Sequence, residues 1–432
     1  MMNNMKIFSI NIRIVNLLLF SVIMSVLGSC TPEVDNVFDD SSANRMTKAL
    51  QVDNEILQSA TNGWLMKYYP APDQRYGGYN MLVKFGADGN ATIACDKFDA
   101  SKTSISSYSL VQSAGPVLSF NEYNEIMHYF SNPVNPDGVG ITSEGMLGDL
   151  EFTLREVSKQ KIVMYGKKTN SRVEMTPLSS DTNWSNYLKS IQTAEYNMGF
   201  GMYSYVAGNI TAKVTMSYRS MTMNYADENG NNISTKVPYL VTPTGYELYD
   251  TLSIGNVKVK TLTYNANNHE FVSDGAGQAK LYGIITPLNQ LLTGGGNWYF
   301  SYDNLSSFGQ PYWYKAANDL STNEGETLSY MYLNANIIYF KSGNYAGKYT
   351  MTTSLQGDNN IGFKLSSYDD NGKYYYNAGY FQYFLYPFCK GTTGRSFTLS
   401  CDNIQNTTVI ILTDVSDSSN IIRLTKKSFA PY

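Results

Sequence analysis

From residue 63 onward the chain alternates apolar and polar positions with a period of two, the signature of strands that bury one face. In "VKVKTLTY" the apolar positions are Val257, Val259, Leu262 and Tyr264, with a change of register near Thr261. Asp-Gly and Asn-Gly pairs supply the positive φ angles that a tight hairpin needs. Asp88-Gly89 separates "NMLVKF" from "NATIAC", Asn229-Gly230 follows "SMTMNY", and Asn371-Gly372 stands between "IGFKLSSY" and "KYYYNAGYF". Each is read as a hairpin, and the long aromatic run "KYYYNAGYFQYFLYPF" as strands.

Helical spacing is confined to three places. From Ala43 to Ala60, Met46, Ala49, Leu50, Ile56 and Leu57 recur near helical intervals, with Ser42 as N-cap and Asn62-Gly63 as the stop. In "DTNWSNYLKSIQTAEYN", Trp184, Tyr187, Leu188, Ile191 and Ala194 form one apolar stripe. A short helix is predicted around Glu122 to Tyr129.

The N-terminus carries a different pattern. Lys6 and Arg13 flank an apolar run, Ile14 to Leu27, which ends in small residues, as a secretory signal peptide does. Leu27-Gly28-Ser29-Cys30 resembles a bacterial lipobox, in which Cys30 is acylated and becomes the new N-terminus. Two or three acyl chains anchor a protein firmly to a membrane. "TPEVDNVFDDSS" holds four acidic residues and no basic one, and reads as a solvated tether.

The roughly 400 residues that remain exceed what one core organises, which predicts two domains. The segments "GDLEFTLREVSKQKIVMYGKKTNSRVEMTPL", 148 to 178, and "GRSFTLSCDNIQNTTVIILTDVSDSSNIIRLTKK", 394 to 427, follow similar patterns, each the closing meander of a β domain. The reading is therefore mainly β: two β-sandwich or open-barrel-like domains with a few short helices. Its spans are 1–29 signal peptide, 30–42 tether, 43–180 N-terminal domain, 181–196 linking helix and 197–432 C-terminal domain.

Composition narrows the chemistry. A net charge of -4 gives no electrostatic reason to bind nucleic acid. Of the four cysteines, Cys389 and Cys401 are candidates for a disulfide outside the cytoplasm, leaving Cys95 as a buried thiol. Two histidines and no Cys-x-x-Cys leave a transition-metal site short of ligands, and no cofactor motif is present. "YADENGNN" and "SYDDNGKY" lack the spacing of a calcium loop and read as turns.

The chain has 36 tyrosines, and one stretch, "GGGNWYFSYDNLSSFGQPYWYKAAN", combines rings with Gly, Ser and Asn. Rings stack on the C-H faces of sugars while amides and hydroxyls meet sugar hydroxyls. Trp298, Tyr312, Trp313 and Tyr314 are the ligand-binding candidates from this stretch, with Trp298 and Trp313 foremost, against the plainer reading of all four as core. His128, within "EIMHYF", reads first as a structural histidine and second as a ligand contact. Lys167 and Lys168 read first as a solvated turn and second as a pair for an anionic ligand. No catalytic motif appears, so no catalytic residue is named.

"DNVFDDSSANRMTKAL", "GWLMKYYP", "GGYNMLVKF", "YNEIMHYFSNP", "GMLGDLEFTL", "MYGKKTNSRVEMTPL" and "VPYLVTPTGYELYD" together resemble an uncharacterised Bacteroidetes outer-membrane lipoprotein family, a domain of unknown function. The resemblance implies genes beside uptake systems like the starch-utilisation porin and its surface lipoprotein, hence capture of a nutrient such as a glycan or glycopeptide; the acidic residues after Cys30 are similar to the export signal of surface lipoproteins in that group, with the periplasmic face as the alternative. Asp250-Thr251-Leu252 is similar to the O-glycosylation acceptor pattern of exported proteins in those bacteria, with Thr251 as acceptor. Three function classes follow: a non-catalytic nutrient-binding or accessory lipoprotein, a hydrolase using a carboxylate pair, and an adhesin or structural subunit.

Overall fold

The computed structural model describes residues 41–275 and 277–428. The chain divides into two compact units, Met1–Asp53 and Asn54–Tyr432. In the first, the described residues enter a helix, Ser42–Ser59, that continues into the second. Cys30 and the tether lie outside the described residues.

The second unit is mainly β and contains three closed barrels, each of eight antiparallel strands. The first runs from Trp64–Tyr68 to Arg172–Pro177, the second from Met202–Ala207 to Ala279–Ile284, the third from Asn297–Phe300 to Ile421–Thr425. Every strand pairs with its sequence neighbours, and the first closes on the eighth: Trp64 opposes Pro177, Tyr203 opposes Gly283, and Tyr299 opposes Thr425. Closure removes the free edges that an open sheet exposes.

This corrects the expectation of two β-sandwich or open-barrel domains. The span 197–432, read as one domain, holds two barrels joined by the short helix Leu288–Thr293 and the glycines 294–296. That joint is as turn-like as any hairpin, so composition does not mark it. The two segments read as closing meanders are strands six to eight of the first and third barrels.

Alternation fills each interior. In Trp64–Tyr68, Trp64, Met66 and Tyr68 are buried. With Met81, Ile93, Phe152 and Met164 they build the first core; Tyr205, Met223, Leu248 and Phe271 belong to the second, and Trp298, Phe300, Phe340 and Phe397 to the third. Gly89 (φ 80°) and Gly230 (φ 81°) make the two predicted hairpin turns. The register change near Thr261 coincides with a shift in pairing between Glu247 and Leu252 on the neighbouring strand.

Asn371-Gly372 is not a hairpin. It opens the helix Asp370–Asn377, where the Asp369 carboxylate accepts from Gly372 N at 2.8 Å as N-cap. The aromatic run read as strands forms this helix and a second, Phe381–Leu385. Phe381, Phe384, Leu385 and Phe388 recur at helical intervals and enter the core, a period hidden among adjacent tyrosines.

Between the first two barrels lies the helix Trp184–Asn197, capped by Asn183, whose Leu188, Ile191 and Ala194 are buried as the stripe predicts. Beside it, the buried Arg219 of the second barrel donates to Asp96 Oδ2 (2.9 Å) and Gly78 O (2.9 Å) of the first and to both Glu195 oxygens (2.8 and 2.6 Å) of the helix. A buried guanidinium is tolerated because its donors are matched. Lys67 and Glu247, 2.7 Å apart, make a second tie.

Cys95, Cys389 and Cys401 are all free thiols, so the candidate pair Cys389 and Cys401 is not bridged. Cys389 is buried after Phe381–Leu385, with its N–H on Leu385 O, and burial pushes its thiol up to about 11. Cys401 ends the strand Arg395–Cys401 and is half-buried there.

Candidate functional site

The third barrel carries helical insertions after its first and fifth strands. The first insertion includes Gln310–Glu324, which begins with Pro311 near its N-terminus and stops at Gly325 (φ 66°). Successive helical residues point about 100° apart, so Tyr312, Trp313 and Tyr314 part company. Tyr312 meets Tyr386 of the second insertion at 4.4 Å between ring centres, and Phe308 stacks on Tyr386 at 6.2 Å and 15°. Trp313 turns inward, edge-on to Phe384 (4.6 Å) and Phe300 (5.9 Å). Tyr314 points to solvent, 68 % exposed.

Trp298, a foremost candidate, is 1 % exposed and sits in the core, where an inward position on strand Asn297–Phe300 puts it. It is therefore core and not a surface platform. Of the four candidates, only Tyr312 joins a cluster of half-buried rings.

Beneath the rings is a buried ion pair that sequence reasoning missed. The Arg395 guanidinium lies 5.1 Å from the centre of Phe308 and 5.0 Å from that of Tyr386. Its Nε donates to Tyr386 O (2.9 Å) and its Nη1 to Asp414 Oδ2 (2.6 Å). Burial alone would push the Asp414 carboxyl up; hydrogen bonds from Ser416, Asn420 and Arg395 hold it below the usual carboxylate value. The pair is nineteen positions apart in sequence and adjacent only because strands six and seven are neighbours.

Arg395 also lines a groove of about 560 Å³ on the barrel's outer wall. Thr352, Ser354, Ser396 and Ser416 contribute hydroxyls and Lys364 an ammonium. Gly362 lies on the groove's wall, where an added Cβ would displace the Ser354 hydroxyl. The buried Arg395 thus lies between the Phe308–Tyr386 rings and the hydroxyl-lined groove, and the rings themselves do not line that groove.

A second concave surface, on the first barrel, brings together His128, Lys167 and Lys168. It is a cleft of about 780 Å³ between the helix Glu125–Ser131, the end of strand Pro116–Phe120, residues 148–151 and the turn after strand Ile162–Gly166. The buried Asp149 shapes its wall: Oδ1 accepts from Lys168 N (2.6 Å) and Oδ2 from Thr169 N (3.2 Å) and Thr169 Oγ1. Lys167 pairs with Glu151 at 3.1 Å. The His128 ring packs on Tyr123 at 4.8 Å.

Thr251 is exposed on strand Gly245–Ile254, within the pairing irregularity between Glu247 and Leu252. Among the described residues, no group of three or more His, Cys, Asp or Glu side chains is placed to hold a metal ion.

No curated protein matches the chain. Among the solved structures that align with 88% or more of the chain are three bacterial proteins. A putative DNA polymerase III beta subunit from Eubacterium rectale is 10% identical, with 88% of this chain and 98% of that chain covered and a TM-score of 0.14. A DNA polymerase III beta chain from Streptococcus pneumoniae is 12% identical (90% and 98% covered, TM-score 0.11). A DNA polymerase sliding clamp from Pseudomonas aeruginosa is 11% identical (88% and 98% covered, TM-score 0.14). At such TM-scores the likeness carries no weight for fold or activity. Residues 34–266, by contrast, match a domain of unknown function, DUF4302, over more than half of the chain, and the protein belongs to that family.

Proposed function

We propose that this protein is a lipid-anchored cell-envelope lipoprotein that captures a glycan or glycopeptide without transforming it, as an accessory to an outer-membrane uptake porin. Cys30 carries the acyl chains, the acidic tether spaces the barrels from the membrane, and the folded part faces outward. The observation that carries the capture reading is the junction at Arg395 of the Phe308–Tyr312–Tyr386 rings with the hydroxyl-lined groove. Rings already packed on a guanidinium and on each other lose little freedom when a ligand stacks on them.

Two further points favour binding over the alternatives. A general acid needs its carboxyl held near the working pH, whereas Asp414 is held low and its oxygens are engaged. A fimbria-like subunit needs an unpaired strand edge, and closed barrels offer none. Thr251 is the proposed O-glycosylation acceptor, consistent with its exposure.

The test is a glycan and peptide array probed with the soluble chain from Ser41, alongside Tyr312→Ala, Gly362→Val and, as a control, Tyr314→Ala. The expected result is a defined set of glycans retained by the native chain and the control and lost by the other two. Silence of the native chain, or equal binding by all four proteins, overturns the assignment. The anchor is tested separately: Cys30→Ala should release the protein from membranes.

A further inference from the structure

We infer that the cleft on the first barrel binds an oxyanion, a carboxylate or a sulfate or phosphate monoester, carried by a larger polar ligand, with Lys168 as its counter-charge. The inference is independent of the ring cluster on the third barrel.

The argument is an accounting of donors and acceptors. Every carboxylate at the cleft is already engaged: Asp149 takes the N–H groups of Lys168 and Thr169 and the Thr169 hydroxyl, and Glu151 takes Lys167. Asn121 is engaged as well, its amide donating to Ser109 Oγ at 3.0 Å. The charged group left over is a donor. The Lys168 side chain is exposed, and its ammonium has no partner among the described residues, although its own backbone N–H is pinned at 2.6 Å.

His128 stands beside it. Its ring Nδ1 lies 3.1 Å from Asn124 N and 3.0 Å from Asn124 O, so the Asn124 backbone engages that nitrogen in either tautomer. The ring Nε2 is the nitrogen left to meet a ligand, as donor or as acceptor. Asn124 is itself fully buried and caps the helix through Ile126 N and Met127 N, so the ring is held on a fixed support. A free ammonium above carboxylates whose oxygens are engaged selects a ligand rich in acceptors and negative in charge.

The backbone that presents Lys168 is also fixed. Asn170 takes a left-handed conformation (φ 57°), and Gly166 must be glycine, because a Cβ would strike the Asp149 carboxylate. A volume of about 780 Å³ exceeds the needs of an inorganic anion, so the oxyanion is a substituent of something larger.

Isothermal titration of the chain from Ser41 with glucuronate, glucose 6-phosphate and neutral glucose at constant ionic strength tests this. The two charged sugars should bind, glucose at least tenfold more weakly, and their ratio tells carboxylate from phosphate preference. Lys168→Gln should weaken the charged sugars about tenfold, Lys168→Arg should restore them, and Lys189→Gln, an exposed lysine on the helix Trp184–Asn197, should change nothing. Melting temperatures of the variants, expected unchanged, guard against loss of fold. Glucose binding as tightly as its charged relatives, no binding of either charged sugar, or equal loss in Lys168→Gln and Lys189→Gln overturns the inference.

Discussion

The first and third barrels share a topology and solve one local problem in opposite ways. In both, the turn between strands seven and eight must be fastened to the start of strand six, and in both a buried carboxylate does it. In the first barrel the carboxylate, Asp149, precedes strand six and collects neutral donors from the turn. In the third it stands at the end of strand seven, as Asp414, and takes a buried guanidinium from Arg395 at the start of strand six. The second barrel uses Asp274 of that turn, which accepts from Lys260 N (2.9 Å) and Thr261 N (3.1 Å) of strand six. Neutral fastening leaves a lysine free at the surface; ionic fastening consumes the cation and gives the neighbouring rings a base to stack on. The difference separates the cleft proposed to take an anion from the face proposed to stack on sugar rings.

The largest break of this comparison comes from Asp414→Ala. It strands the Arg395 guanidinium without its counter-ion and should cost about 3–5 kcal/mol, read by urea denaturation with hydrogen exchange localised to strand Val409–Asp414. Loss of protection elsewhere first would contradict a local role. Asp149→Ala removes the acceptor of neutral donors only and should cost less, about 1–3 kcal/mol, with the exchange confined to residues 166–171. If the two costs were reversed, the distinction between ionic and neutral fastening would fail.

Acid provides the finest discrimination. Asp414 is held below its ordinary value against burial, and Asp402, where burial also opposes hydrogen bonds from Thr408, Val409 and Asn403, is held near 2. A carboxylate lowered in the folded state lends stability above its unfolded value of about 3.9, and that stability is lost as pH falls towards the folded value. Protection of the third barrel should therefore hold down to about pH 4 and decline between there and about pH 2. Decline beginning near neutrality would show that another group governs it.

The sequence discloses local periods well and closures poorly. The stripe of Leu188, Ile191 and Ala194 lies within one helix, so its spacing is complete in a short window. Pairing of Trp64 with Pro177 depends on how seven intervening connections curl the sheet, which no window contains. The number of barrels is thus not written in any one window. The same limit governs the candidate site: composition gathers the rings, but Tyr312, Trp313 and Trp298 differ only in the direction that helix and strand give them. Arg395 and Asp414 carried no signal at all, being ordinary residues that acquire meaning through strand order. His128 and the Lys167–Lys168 pair were legible as chemistry but not as neighbours.

Because the eighth strand of each barrel lies beside the first, a barrel's entry and exit are next to one another. Each barrel is also preceded by a helix, Ser42–Ser59, Trp184–Asn197 or Leu288–Thr293. A cut at such adjoining ends disturbs the backbone little, whereas the buried Arg219–Asp96 pair couples the first two barrels and would have to be copied or lost with both. Relatives with fewer or more barrels are then attainable by single recombination events, each new copy free to change its loops while the originals keep working.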